Sequence, residues 1–183
     1  KNEHKITKPF ITIDPDDAKD LDDAIYIETD NSKNNRGGVV LFVGISDVSF
    51  FVKPNSIIDR EALKRGNSTY FPDKVIPMLP EDLSNNLCSL KENSPKKAVV
   101  VKMHLDHRGY KIKHEFIRGI ITVKKNYTYE TFETYLSDNE TKKKYSEYKR
   151  ALNILKQSPH LKNRLNLNLA EKKITFSSEG YPT

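Results

Sequence analysis

Phe-Ile-Thr-Ile-Asp-Pro-Asp-Asp-Ala-Lys-Asp-Leu-Asp-Asp-Ala-Ile-Tyr-Ile, residues 10–27, reads as two strands joined by an acidic loop. Phe10, Ile11, Thr12 and Ile13 are β-forming residues, Pro15 forces a turn, and Ala24, Ile25, Tyr26 and Ile27 return as a second strand. Between them, residues 14–23 hold six aspartates against Lys19 and carry −5. The whole chain carries +6, which leaves +11 outside this segment. Crowded carboxylates repel one another and take up protons unless something neutralises them. A hard divalent cation such as Mg2+ or Mn2+ does so, because it prefers oxygen ligands. Asp14, Asp20, Asp22 and Asp23 fall at strand ends and on the tight loop, where convergence is expected. The competing reading is a solvated acidic loop. A calcium loop of the EF-hand type fits poorly. Counted from Asp14, position five is Ala18, position six is Lys19 rather than Gly, and position twelve is Ile25 rather than Glu.

Outward from this stretch, residues 39–45 are almost continuously apolar and read as a buried strand. They pair with 24–28 as a hairpin across the turn-rich 30–38, which brings Asp47 near the acidic loop, in a turn or capping role or, as the alternative, supporting the residues that hold the ion. Residues 56–65 read as a short helix, with Ser56 and Asp59 as a capping-box-like pair and Gly66 as the stop. Residues 67–80, punctuated by Pro72, Pro77 and Pro80, read as irregular, and 81–87 as one or two helical turns. Residues 98–106 alternate, with Val101, Met103 and Leu105 on one face and Lys102, His104 and Asp106 on the other. After the turn at His107, Arg108 and Gly109, residues 110–123 return as a strand bulged or bent near Gly119. Helical periodicity follows at 128–136 and at 140–156, the latter with Tyr145, Tyr148, Leu152 and Leu155 on one stripe. A further helix is expected at 161–170 and a last strand at 173–176, while 1–8 reads as a frayed lead-in. The fold class is α+β, a mixed or antiparallel sheet with a strand-rich first part and helices towards the C-terminus.

A length of 183 residues suits one domain spanning 1–183, with a sizeable core. Mean hydropathy is −0.69 and 31% of residues are charged, yet the apolar residues are grouped into strand-like runs, which argues against disorder. An isoelectric point near 9.2 points to a polyanionic partner, nucleic acid ahead of a membrane surface. Cys88 is the only cysteine, so no intrachain disulfide forms and no disulfide-linked partner is expected. No run of 18 apolar residues and no signal-peptide core occur, so a soluble, cytoplasmic protein with no membrane partner is expected. His104, His107 and His114 read as hairpin surface residues rather than a metal cluster. Lys124 and Lys125, Lys142 to Lys144, and Lys172 and Lys173 read as solvated faces, with a phosphate-tracking role as the alternative.

The offsets Thr-Ile-Asp-x-x-x-Ala-x-Asp-x-Asp-Asp-Ala, carrying Asp14, Asp20, Asp22 and Asp23, resemble the signature of the ribonuclease II / ribonuclease R (RNB) exoribonucleases. The resemblance continues through Ile-Ser-Asp-Val-Ser from Ile45, Tyr-Phe-Pro from Tyr70, Val-Ile-Pro-Met-Leu-Pro from Val75 and Leu-Ser-Asn-Asn-Leu-Cys-Ser-Leu from Leu83. It implies Mg2+-dependent, processive 3′→5′ hydrolysis of single-stranded RNA to nucleoside 5′-monophosphates. It also implies that Asp14, Asp20 and Asp23 hold or orient metal, and that Asp22 serves the chemical step, as a ligand or by positioning the attacking water. Tyr70 would pack on the nucleotide at the cleaved 3′ end, and Tyr129 would contribute to preference for RNA, with Tyr127 as its competitor by register.

Members of that family are longer. They carry OB-type and S1-type flanking domains and a later Ser-Pro-Ile-Arg-Arg motif that does not occur here. The chain is therefore expected to be the N-terminal portion of a catalytic domain, on which the remainder packs. It would expose apolar surface where that remainder docks and be a poor enzyme alone. The alternative function is a non-catalytic RNA-binding or scaffold module of the same fold.

Overall fold

Five strands close on themselves because their alternating residues have an apolar face to bury on both sides. The computed structural model describes residues 4–71, 74–138, 141, 143–159 and 177. Strands β1 (Phe10–Asp14), β2 (Asp23–Thr29) and β3 (Val39–Ser46) are followed by the short helix α1 (Val48–Phe51) and by α2 (Ile57–Arg65). A small hairpin of β4 (Thr69–Tyr70) and β5 (Val75–Ile76) and one π-helical turn (Asp82–Leu87) lead to β6 (Pro95–Leu105) and β7 (Lys111–Thr128). Helices α3 (Tyr129–Ser137) and α4 (Ser146–Gln157) follow. The barrel order is β1-β2-β3-β6-β7, antiparallel throughout except where β7 lies parallel to β1. The sheet is thus mixed, as expected, and its closure removes free edges.

Phe10, Ala24, Val40, Phe42, Ala98, Val100, Ile121 and Val123 fill the barrel, joined by Ile6, Leu21 and Leu90 from the connections. The opposite face of the same strands packs on the helices. Ile27, Val39 and Leu105 meet Ala151 and Ile154 of α4, and Ile11 and Tyr127 meet Phe132 and Tyr145. Each fully buried large side chain is worth roughly 1.5–3 kcal/mol.

The structure differs from the sequence-based expectations at several places, each for a local reason. The lead-in is paired rather than frayed: the Ile6 amide donates to the Ile120 carbonyl at 2.9 Å and the Ile120 amide to the His4 carbonyl at 2.8 Å. Gly119 serves this crossing and not a bulge, since a Cβ there would lie 2.3 Å from the His4 carbonyl oxygen. The register shift comes later, where Phe10 pairs with Val123 but Ile11 with Lys125. That extra residue turns β7 over, so Val123 points into the barrel while Tyr127 points to the helices. Residues 67–80 contain the β4–β5 hairpin, held by the Met78 amide on Ser68 Oγ and by Arg65 on the Pro77 carbonyl. Helix α4 begins at Ser146 rather than 140, and its buried stripe runs through Ala151 and Ile154, leaving Leu152 40% exposed. Helix α2 is capped as expected, Ser56 Oγ accepting from the Asp59 amide and Gly66 closing it at φ +75°. The expected elements at 161–170 and 173–176 lie outside the described residues. Among the described residues no helix is long and apolar enough to cross a membrane.

His104 is not a surface residue. At one barrel end it meets Asp30 at 2.7 Å, and Asn35 Nδ2 donates to Asp30 and to the Leu105 carbonyl. Burial pushes the Asp30 carboxyl up, but the bonds from Asn35, His104 and Ser32 outweigh it and hold the group well below the ordinary carboxylate range. An acid with a depressed folded-state pKa contributes stability above its unfolded value of 3.8 and loses it as pH falls further. Thermal unfolding should therefore show a transition temperature that drops below about pH 4. In Asp30→Asn that acid-dependent part should be smaller, and an unchanged acid limb would remove Asp30 from the account.

Candidate active site

The acidic loop is anchored from beneath. Ser89, fully buried, donates Oγ–H to the Lys19 carbonyl at 2.8 Å and accepts the Leu21 amide at 3.2 Å, while the Leu90 amide donates to the Leu21 carbonyl at 2.8 Å. Leu21 and Leu90 then enter the barrel core together. Asn126 ties the same region to two strands, donating to Thr12 Oγ1 and to the Leu90 carbonyl and accepting the Glu92 amide. The strand registers bring the loop's ends to one barrel rim. Asp14 pairs with Thr128, Asp23 pairs with Ile45, and the Ser46 amide donates to the Asp22 carbonyl at 2.9 Å.

The four aspartates act on one another through a shared field. Burial raises the Asp14 carboxyl above its ordinary value; a bond with Thr12 opposes this, and the charges of Asp23 and Asp20 add to it. Asp22 is raised by the protein's exclusion of water, then by Asp20, Asp23 and Asp14. Asp14 Oδ2 is buried with no hydrogen-bond partner. An unpaired buried carboxylate oxygen among three further carboxylates is the donor chemistry that Mg2+ and Mn2+ accept. Asp14, Asp20, Asp22 and Asp23 thus fit such an ion by donor type. Among the described residues no three His, Cys, Asp or Glu side chains come together as a group that could hold a metal ion.

Asp14 and Asp20 line an open cleft of about 630 Å³, and Tyr70 and Lys74 of the β4–β5 hairpin line it with them, together with Ser68. Tyr70 is 70% exposed, so its ring is free to meet a ligand. Tyr129 opens α3 directly after Thr128, the partner of Asp14, and is 56% exposed. It is outside the cleft lining but on the same rim. Tyr127 is buried, its hydroxyl bonded to that of Tyr145, and its ring packs on Phe132 and Tyr135. It is a core residue and does not compete with Tyr129.

Asp47, next to this rim, stands at the N-cap position of α1 as expected, its carbonyl accepting the Phe50 amide at 3.0 Å, but its side chain makes no cap bond. It is buried, and Arg118 grips it at 2.5 and 2.9 Å while Ser49 donates to it at 2.7 Å. Burial raises its carboxyl, but those bonds more than offset it and keep it ionised. Cys88 is buried and its thiol is pushed up by that burial, as a packing residue's would be. Ser89, Asn126, Ser68 and Lys74 were not legible as site residues from spacing. The only sequence signal for Ser89 was the run from Leu83 to Leu90.

The RNB domain family model matches residues 5–180. Ribonuclease R of Buchnera aphidicola subsp. Acyrthosiphon pisum is 40% identical over 172 residues, which cover 93% of this chain and 23% of that protein. Ribonuclease R of Thermotoga maritima is 42% identical over 142 residues, covering 78% of this chain and 19% of that protein. Among solved structures, Mycoplasma genitalium RNase R in complex with ribose-methylated single-stranded RNA superposes with a TM-score of 0.87 at 29% identity, covering 99% of this chain and 29% of that one. The chain spans about a quarter or less of the length of these curated relatives. Its matched span, barrel and acidic loop show that the chain belongs to the RNB domain family.

Proposed function

We propose that the protein to which this chain contributes is a metal-dependent 3′→5′ exoribonuclease acting on single-stranded RNA. The observation that carries this reading is the cleft in which Tyr70 stands with Asp14 and Asp20, the latter coupled to Asp22 and Asp23. Asp14, Asp20, Asp22 and Asp23 would hold Mg2+ or Mn2+. When bound, such an ion neutralises phosphate charge and makes water nucleophilic at neutral pH. The remaining work falls to the chain's own groups. Tyr70 stacks the terminal base without reading its identity, worth roughly 1–3 kcal/mol. Lys74 lies in the same cleft and offers charge to a phosphate. Asp22 serves the chemical step, as a ligand of the ion or by orienting the attacking water. Tyr129, exposed on the same rim, would contribute to the preference for RNA.

The test uses the intact protein and single-stranded RNA labelled at either end. A 3′ label should leave at once as a nucleoside 5′-monophosphate, and a 5′ label should shorten stepwise. A chelator should stop both and added Mg2+ should restore them. Internal cuts, or hydrolysis indifferent to chelation, would overturn the proposal.

A further inference from the structure

The acidic cleft uses little of the chain's positive charge. Residues 95–118, the paired parts of β6 and β7 with their turn, hold seven Lys and Arg against two acids. Alternation puts Lys97, Lys111 and Arg118 on the outward face, and Lys96, Lys102, Lys113 and Glu115 on the face of Ala98 and Val100. Lys53 of the neighbouring connection adds to the outward set, and Arg118 is bound to Asp47. This ribbon also carries exposed rings. Register places Val99 opposite Arg118, Val101 opposite Phe116 and Met103 opposite His114, all on the outward face. Phe116 is 67% exposed and its ring meets His114 edge to face at 5.5 Å. Beside Arg118, Phe50 of α1 is half-exposed, with the ammonium groups of Lys97 and Lys53 at 4.5 and 5.3 Å from its ring. Arg118 Nη2 donates to Ser49 Oγ, which joins the two parts into one surface.

We infer that this outward face of the β6–β7 ribbon, with Phe50, is a second binding surface for single-stranded RNA, separate from the acidic cleft. Cations spaced along a ribbon follow a phosphate backbone. Solvent-facing rings of Phe116 and Phe50 give bases a place to stack without sequence choice. Of the apolar residues on this face, Met103 packs against the α4 cluster and Val99 and Val101 are partly buried, which leaves the exposed rings of Phe116 and Phe50 and little apolar core for a protein partner. The inference shares only its ligand class with the proposed catalytic reading, and its test reads binding alone.

The 183-residue chain is titrated into a fluorescent oligouridylate in chelator, so that no hydrolysis intervenes. Phe116→Ala should weaken binding about fivefold or more. The double variant Lys53→Glu, Lys111→Glu should weaken it and lower the salt slope by about 0.7 for each phosphate that is no longer neutralised. Photocrosslinking should map to Phe116 or Phe50. Unaltered transition temperatures would confirm that these exposed substitutions leave the fold intact. Affinity within twofold of the parent in both variants would overturn the inference. So would self-association through this face that the variants abolish while RNA binding persists. Loss of binding in Tyr70→Ala alone would likewise assign all RNA binding to the cleft.

Discussion

Asp22→Asn should abolish RNA hydrolysis by the intact protein while leaving RNA affinity within about twofold of the parent, because the change removes charge and keeps shape. An interaction needed only for the chemical step, once removed, typically costs a factor of 10² or more in rate. The same substitution has an opposite consequence for the metal-free fold. The neighbouring carboxylates and the exclusion of water raise the Asp22 pKa, so the folded state favours its protonated form. Such a group is most at ease below its unfolded value of 3.8 and becomes a burden as pH rises through its folded value. Asparagine removes that burden, so the 183-residue chain should melt higher than the parent at pH 7 in chelator, with the gap narrowing towards pH 4. Mg2+ should reverse the ranking. At one hundred times its dissociation constant a ligand stabilises the folded state by about 2.7 kcal/mol, which the parent gains and the variant largely forgoes. Full hydrolytic activity in Asp22→Asn would end its assignment to the chemical step. A parent transition temperature indifferent to Mg2+ would remove the ion from the cluster.

The ranking also explains what the sequence could and could not reveal. Six aspartates in ten residues are visible in one line of text, and so is the strand alternation around them. What they rest on is not. Ser89 lies about seventy positions away from the carbonyl it holds, and Asn126 reaches Thr12 across 114 positions. The closure of the barrel depends on the parallel pairing of β7 with β1, more than a hundred positions apart, which no local pattern encodes. Lys124 and Lys125 interrupt the apolar alternation, so the strand reads as ending at Val123. Backbone bonding to β1 carries it on to Thr128, because ladder pairing does not depend on side-chain polarity. Tyr127 and Tyr129 differ by two positions in the text, and only the bulge before Lys125 and the start of α3 decide that one is core and the other rim.

The second large effect follows from that hidden support. Leu90 is fully buried in the barrel core, and its amide holds the Leu21 carbonyl at the end of the acidic loop. Leu90→Ala keeps the amide but removes the side chain that fixes its position. A buried leucine truncated to alanine costs roughly 2–5 kcal/mol. In a domain of this size that lowers the transition temperature by about 4–20 °C. The damage should not be confined to stability. Leu21 packs against the same core, so the loop that presents Asp20, Asp22 and Asp23 would lose one of its supports, with Ser89 and the Ser46 amide on the Asp22 carbonyl remaining. Misplacing a reacting group by an ångström is enough to cost a hundredfold in rate. In the intact protein assayed well below its melting point, Leu90→Ala should therefore lower the rate of hydrolysis and raise the Mg2+ concentration needed for half-maximal activity. A volume-conserving Leu90→Met should restore most of both. If Leu90→Ala lowered the melting temperature yet left the Mg2+ requirement unchanged, the core would support the barrel alone, and the loop would owe its shape to Ser89 and the strand ends.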